Sequence, residues 1–170
     1  KLIYSNKRPY KILFVGRLED RKGPQVLVKA IPLVLKKAPD TEFVFIGRDT
    51  FQCNGNSYKE CLIRNIPAEY AEKVKFLGHV DNRDLAEHFK SCDIFTAPSL
   101  YESFGLIYIE AMSYAKPVIG CAVGGVPEVI KDGETGILVP PGDHVSLANA
   151  IISLLDNENK RREMGFMARE

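Results

Sequence analysis

The stretch KILFVG, residues 11–16, is an almost unbroken apolar run that ends at a glycine. A strand buried on both faces of a parallel sheet has this pattern, whereas a strand with one wet face alternates apolar and polar residues. Helical spacing follows at residues 24–38, PQVLVKAIPLVLKKA, with a proline in the first turn. A buried strand followed by a helix predicts a parallel sheet with helices on its faces.

Five further short apolar runs continue this alternation along the chain. They lie at residues 42–47, 73–78, 93–98, 117–121 and 135–140, and most are separated by helical patterns. Six such strands predict an α/β fold with a Rossmann-like, doubly wound parallel sheet, formed by a single domain over residues 1–170. The polar segment 48–73 matches no motif, and its role stays open.

Composition excludes several classes of function. The chain has 170 residues, of which 45% are hydrophobic and 26% charged, and its 23 Lys and Arg residues are balanced by 22 Asp and Glu residues. A basic face for nucleic acid is therefore not expected. No apolar run reaches the roughly 18 residues that span a bilayer. The four cysteines form no CxxC pair, so free thiols in a reducing cytoplasm are expected.

Ligands of doubly wound folds lie beyond the carboxyl ends of the strands, so the residues after each strand are candidates for a site. The first loop reads GRLEDRKG, residues 16–23, which is neither a P-loop nor a GxGxxG dinucleotide motif. It places Arg17 and Lys22 before a helix N-terminus. A guanidinium fork, an ammonium group and free amides together suit a phosphate, although two solvated surface cations would give the same sequence.

The stretch ESFGLIYIE, residues 102–110, follows the fourth predicted strand and holds two acids eight positions apart. Ser103 is expected to cap the next helix, which would aim the amides of residues 104–106 at an anion. Glu110 has mainly apolar neighbours, which argues against a plain surface position, and a carboxylate can accept two hydrogen bonds from a diol such as ribose. Glu102 is either an exposed loop acid or a ligand at the mouth of the site.

Four segments in this order resemble the C-terminal donor-binding domain of retaining GT-B glycosyltransferases, glycosyltransferase family 4, also called glycosyl transferases group 1. The segments are GRLEDRKG, VKFLGHV, ESFGLIYIE and GGVPEVIKDGETGILVPPGD, and the resemblance covers nearly the whole chain. The resemblance implies that the chain forms one half of a GT-B fold. Its Gly-Gly turn at 124–125 would be a weak signal alone, because any strand-to-helix turn can carry glycine.

The resemblance also implies roles for individual residues. Arg17 and Lys22 would hold the diphosphate of a nucleotide-sugar donor, and Glu102 would contact the transferred sugar, so these three are the expected catalytic residues. The remaining donor-binding residues would approach the sugar, the ribose, the base and the first loop. They are Phe104, Gly105 and Leu106 beside the sugar, Glu110 at the ribose, Gly78 and Val80 beside the base, and Gly16 in the first loop.

Neither a metal ion nor another cofactor is implied, because GT-B enzymes use basic residues and helix amides in place of a divalent ion. The acceptor would be held by an N-terminal domain absent from this chain, and any contact with a membrane surface would belong to that domain. Both ends of the chain look cut, which indicates an excised domain that transfers no sugar by itself. The alternatives are a noncatalytic nucleotide-binding module and a GT-B sugar-nucleotide epimerase. The missing GxGxxG motif argues against an NAD-dependent protein.

Overall fold

A computed structural model describes residues 8–170 of the chain. The strands are β1 Tyr10–Val15, β2 Thr41–Ile46, β3 Gln52–Cys53, β4 Asn56–Ser57, β5 Val74–Gly78, β6 Ile94–Ala97, β7 Val118–Cys121 and β8 Gly136–Val139. The helices are α1 Pro24–Lys37, α2 Tyr58–Arg64, α3 Asn82–Ser91, α4 Leu106–Ser113, α5 Val126–Val129, α6 His144–Asp156 and α7 Glu158–Arg169. Short 3-10 helices occupy Asp20–Lys22 and Ala68–Lys73.

Six strands form one sheet in the order β5-β2-β1-β6-β7-β8, and all five neighbouring pairs are parallel. Counted along the chain without the small β3–β4 hairpin, this is the order 3-2-1-4-5-6 of a Rossmann fold. The predicted fold class is therefore confirmed. The strand order reverses between β1 and β6, and this is where the crevice of such a fold opens.

The sheet has a hydrophobic cluster on each face, which explains the unbroken apolar run in β1. Ile12 and Phe14 belong to one cluster, which includes Leu27 of α1 and Ile151 of α6. Leu13 points to the opposite face and belongs to a second cluster with Tyr108 of α4. All six side chains are fully inaccessible to solvent, so each face of the strand contributes to the core.

The predicted strand positions agree with the structure, since the ends of each strand differ from prediction by no more than one residue. Aspartate is a favourable N-cap residue, and two helices begin with one. The side chain of Asp81 accepts from the Asp84 amide, and that of Asp143 accepts from the Val145 and Ser146 amides.

The segment VPEVIKDG, residues 126–133, predicts a short helix that ends at its glycine, but α5 ends earlier, at Val129. Ile130 already has an extended backbone, with φ of −102° and ψ of 116°. Its side chain is 1% exposed, so it contributes to the core from the loop rather than from the helix.

The polar segment 48–73, whose role the sequence leaves open, has regular structure of its own. It forms the β3–β4 hairpin and then α2, which begins with a capping box between Ser57 and Glu60. The hydroxyl of Tyr58 donates to Oδ1 of Asp20 at 2.5 Å, which ties this segment to the loop after β1. Desolvation raises the pKa of Tyr58 above its usual value, and the bond to Asp20 raises it further, so the phenol stays a donor.

All four cysteines are free thiols, as expected, but their environments differ. Cys53 and Cys61 are half-buried, whereas Cys92 and Cys121 are fully buried. Burial raises the pKa of Cys92 to about 12 and that of Cys121 to about 11. Within the described part of the chain, the helices are too short or too polar to cross a membrane.

We predict that a disulfide reagent at about pH 8 labels Cys53 and Cys61 in the native protein. Cys92 and Cys121 should react only after unfolding, because burial hides them and keeps them protonated. Absorbance of the released thiolate counts the reacting groups. A Cys53→Ser, Cys61→Ser double variant is the control and should show almost no native labelling; four fast-reacting thiols in the folded wild type would contradict the structure.

Candidate functional site

Two loops meet beyond the carboxyl ends of β1 and β6, at the point where the strand order reverses. The first covers residues 16–23 and the second residues 98–105. The Leu100 amide donates to the Arg21 carbonyl at 2.9 Å, which joins the loops through their backbones. Gly23 has a φ of 74°, and a Cβ atom there would lie 1.9 Å from the Pro98 carbonyl oxygen. Only glycine fits a contact this close, so the two loops hold each other in place.

Lys22 and Glu102 form an ion pair across these two loops. The Nζ atom of Lys22 lies 2.5 Å from Oε2 of Glu102, and the two side chains are only 20% and 12% exposed. A charge-assisted hydrogen bond of this length between shielded groups is stronger than an ordinary surface pair. The structure therefore brings together two predicted site residues that stand 80 positions apart in sequence.

Glu19 organises the arginines of the first loop, and sequence reasoning missed it. Its Oε1 atom lies 3.1 Å from a guanidinium nitrogen of Arg17 and 3.2 Å from one of Arg21. The residue is 8% exposed, which is rare for a glutamate unless its charge is paired. The guanidinium of Arg17 also lies over the ring of Phe51, 5.7 Å from its centroid. The sequence signal that could have identified Glu19 is its position between Arg17 and Arg21 in GRLEDRKG.

A row of glycines lines the carboxyl ends of three adjacent strands. The Gly16 amide donates to Ile46, and the Gly47 amide donates to the Gly78 carbonyl at 2.8 Å. Gly47 has a φ of 152°, and a Cβ atom there would lie 1.8 Å from the Gly16 carbonyl oxygen. Gly16 and Gly78 were predicted, whereas Gly47 was not. Val80, two residues after Gly78, is half-buried and packs against the core.

The start of α4 differs from the prediction. We expected Ser103 to cap this helix, but the cap residue is Gly105, with a φ of 89°, and Ser103 is exposed. The reason is a contact with the loop after β7, because the Ser103 carbonyl accepts from the Gly125 amide at 3.2 Å. Of the three predicted amides, only that of Leu106 belongs to the first turn, and those of Phe104 and Gly105 precede it.

Tyr108 fixes α4 to the end of β6. Its side chain is fully buried, and its hydroxyl donates to the Ala97 carbonyl. Burial raises the pKa of Tyr108, which keeps the hydroxyl protonated as a donor. The helix N-terminus is therefore held beside the second loop and the Lys22–Glu102 pair.

Glu110 lies four residues after Leu106, on an exposed face of α4. The inference that its apolar neighbours argue against a surface position was wrong, since Leu106 is 65% and Ile109 43% exposed. The apolar side of α4 that packs on the sheet is formed by other residues, among them Ala111 and Met112. The proposed role of Glu110 at a ribose thus stays a prediction.

The Gly124–Gly125 turn packs against the backbone carbonyl of Glu102. Gly124 has a φ of 52°, and a Cβ atom there would lie 1.8 Å from the Glu102 carbonyl oxygen. The Gly125 amide donates to that same carbonyl at 3.3 Å. The Gly-Gly turn, a weak signal in the sequence, therefore makes a close backbone contact that fixes the position of the Glu102 backbone.

Known proteins resemble this chain in sequence and in fold. The sequence pattern of the family described as Glycosyl transferases group 1 matches residues 3–170. The chain belongs to this family. Among relatives, the D-inositol 3-phosphate glycosyltransferase of Corynebacterium diphtheriae is 35% identical over 162 residues, which are 92% of this chain and 37% of the relative. The chain thus spans well under half the length of the curated relatives that it matches.

Solved glycosyltransferase structures have the same architecture. HepE of Anabaena in complex with UDP-glucose matches with a TM-score of 0.85 and 28% identity, over 95% of this chain and 43% of that chain. The C-terminal domain of the group 1 family protein LpcC from Francisella tularensis matches with a TM-score of 0.86 and 28% identity. That match covers 97% of this chain and 90% of the LpcC domain. The α/β sheet is therefore of the GT-B glycosyltransferase type.

We predict that Gly124→Ala destabilises the fold more than Gly133→Ala. Both glycines have positive φ, 52° and 78°, so both substitutions carry the backbone penalty of about 1–2 kcal/mol. Only the alanine at 124 would clash with Glu102, whereas nothing lies within 4 Å of a Cβ atom at 133. Urea unfolding should show an extra loss of at least about 2 kcal/mol for Gly124→Ala. Equal losses would contradict the close contact.

Proposed function

We propose that this chain is the C-terminal donor-binding domain of a retaining, metal-independent glycosyltransferase of family 4. The intact protein would move a sugar from a nucleoside-diphosphate sugar to an acceptor. The observation that carries the proposal is the meeting of Lys22 with Glu102 at 2.5 Å, at the reversal of strand order, in a loop that also carries Arg17. Ligands of doubly wound sheets bind at this place.

The chemistry of the two loops fits this transfer. Breaking the sugar–phosphate bond leaves negative charge on the nucleoside diphosphate. Arg17 and Lys22 provide fixed positive charge for that leaving group, and the first amides of α4 add hydrogen-bond donors. These groups are positioned by Glu19, by the close contact at Gly23 and by Tyr108, so little rearrangement opposes the reaction. They also supply the charge stabilisation for which other transferases use a divalent ion.

Two acidic side chains and a stretch of glycine backbone suit the other parts of the donor, which are the sugar, the ribose and the base. Glu102 would accept hydrogen bonds from hydroxyls of the transferred sugar, and Glu110 would accept them from the ribose. The base would lie near Gly78 and Val80, where the glycine row leaves the backbone open to a flat ring. HepE, which shares this fold, is described in complex with UDP-glucose, and this supports a nucleotide-sugar as the donor class.

The acceptor would bind to an N-terminal domain outside this chain, across a cleft from the donor. The greater length of the curated relatives supports this arrangement, since this chain covers 37% of the Corynebacterium relative. Any contact with a membrane surface would be made there too, and neither nucleic acid nor a cofactor takes part. We place the protein in the cytoplasm, in keeping with its unpaired cysteines.

We predict that Arg17→Ala and Lys22→Ala in the intact protein each lower kcat/KM at least about tenfold. Removing one preorganised donor for a developing negative charge typically costs about 2.7–4 kcal/mol. Donor-dependent release of nucleoside diphosphate measures the rate. Lys36→Ala is the matched control, because it removes an exposed cation at the other end of α1. Unchanged kinetics for both site variants would contradict the proposal, and tight nucleotide binding without transfer would indicate a noncatalytic module.

We also predict that this chain alone transfers no sugar and binds nucleotide weakly, because the acceptor and part of the cleft belong to the other domain. Incubation of the purified chain with donor and acceptor, followed by detection of free nucleoside diphosphate, tests this. The intact protein at the same concentration is the positive control. Transfer at a comparable rate by the isolated chain would show that the site is complete without a second domain.

A further inference from the structure

The Lys22–Glu102 contact joins two residues to which the proposed function gives different parts of one donor. Lys22 would bind the diphosphate, and Glu102 would bind the sugar. Yet the Nζ and Oε2 atoms of these two residues are only 2.5 Å apart. A phosphate oxygen that takes a hydrogen bond from Lys22 therefore comes close to the carboxylate of Glu102.

The backbone near each of the two residues is held by close contacts. Lys22 precedes Gly23, whose backbone is pressed against the Pro98 carbonyl. The Glu102 carbonyl is held from behind by Gly124 and Gly125. The backbone contacts therefore keep the two side chains within reach of each other, and the low exposure of the ion pair limits screening by water and salt.

An ammonium group has three donors, so Lys22 can bind Glu102 and a phosphate oxygen together. The two acceptors then lie about 4–5 Å from each other, since each is about 2.5–3 Å from the same tetrahedral nitrogen. Two negative charges at this separation repel each other in a partly shielded site. Glu102 thus lowers the affinity of the Lys22 site for any diphosphate unless something offsets the repulsion.

The sugar of an intact donor supplies that offset. Its hydroxyls can donate to the Glu102 carboxylate, whose Oε1 atom is not the one engaged by Lys22. The spent donor, a nucleoside diphosphate, has no such hydroxyls beside its terminal phosphate and carries more negative charge there. The same carboxylate therefore favours the nucleotide-sugar and disfavours the product.

We propose that Glu102 discriminates between nucleotide-sugar and nucleoside diphosphate, and that its pairing with Lys22 promotes release of the product. This inference rests on the proposed function, and it adds a role in ligand selectivity to the contact with sugar. It leads to an unusual expectation, because removal of an acid from the site should tighten the binding of one ligand while it weakens the binding of the other.

Calorimetric titration of the intact protein tests the inference. The probe pair is the nucleoside diphosphate and sugar conjugate, among those of uridine, guanosine and adenosine, that stabilises the protein most against heat. Glu102→Gln should bind the diphosphate about tenfold tighter than wild type and its sugar conjugate more weakly. Glu87→Gln is the matched control, since it removes the carboxylate of an exposed ion pair on α3, where Glu87 lies 2.7 Å from Lys90. This control should change neither affinity.

One further variant separates the effect of charge from the effect of shape. Glu102→Asp keeps the negative charge and should leave diphosphate affinity within about twofold of wild type. If both Glu102→Gln and Glu102→Asp tighten diphosphate binding equally, charge repulsion is not the cause and the inference is overturned. Should Glu102→Gln fail the thermal-unfolding check, Glu102→Ala takes its place, with the same expected tightening.

The Lys22→Met variant distinguishes failure of the proposed function from failure of the inference about selectivity. It should weaken both ligands, because it removes the shared cation. If Lys22→Met changes neither affinity, or if no probe pair binds at all, the proposed function itself is wrong. If Lys22→Met weakens both ligands while Glu102→Gln fails to tighten the diphosphate, only the inference about selectivity is overturned.

Discussion

The pairing of β1 with β6 is the constraint on which the candidate site depends. These neighbours meet through Ile12–Ile94 and Leu13–Phe95, and the strand order reverses between them. Because the chain winds away in opposite directions from this pair, the loops after the two strands are free to face each other. One loop carries Arg17 and Lys22 and the other carries Glu102, so residues distant in sequence share one site.

Close backbone contacts then turn two flexible-looking loops into fixed ones. At Gly23, Gly47 and Gly124 a Cβ atom would lie within 2 Å of a carbonyl oxygen of another loop. Backbone packed this tightly cannot shift by much without a clash. A long lysine side chain loses much rotamer freedom when it binds, and a fixed backbone with a short ion pair means that part of this loss has already occurred. In the proposed reaction, the loops would thus favour catalysis by preorganised charge over catalysis by movement.

The sequence predicted the features that depend on local pattern. The strands were predictable because burial on both faces leaves an unbroken apolar run, and Arg17, Lys22 and Glu102 were predictable because they follow such strands. The features that depend on contacts between loops were not. Ser103 is a good cap by composition, but its carbonyl is engaged by the Gly125 amide. The pairing of Glu19 with two arginines likewise depends on how the first loop folds.

Each cation proposed for the diphosphate has a glutamate partner from the same chain, Glu19 for Arg17 and Glu102 for Lys22. Bare cations would attract any phosphate strongly, and a strongly held product would slow the next cycle. The two acids act differently, however. Glu19 is 8% exposed and also holds Arg21, so it sets the direction of guanidinium groups. Glu102 lies at the junction of the loops, where its charge would act on the ligand of the proposed reaction. The positions of the two acids therefore distinguish their proposed roles. Glu19 would orient the arginines, and Glu102 would select the ligand.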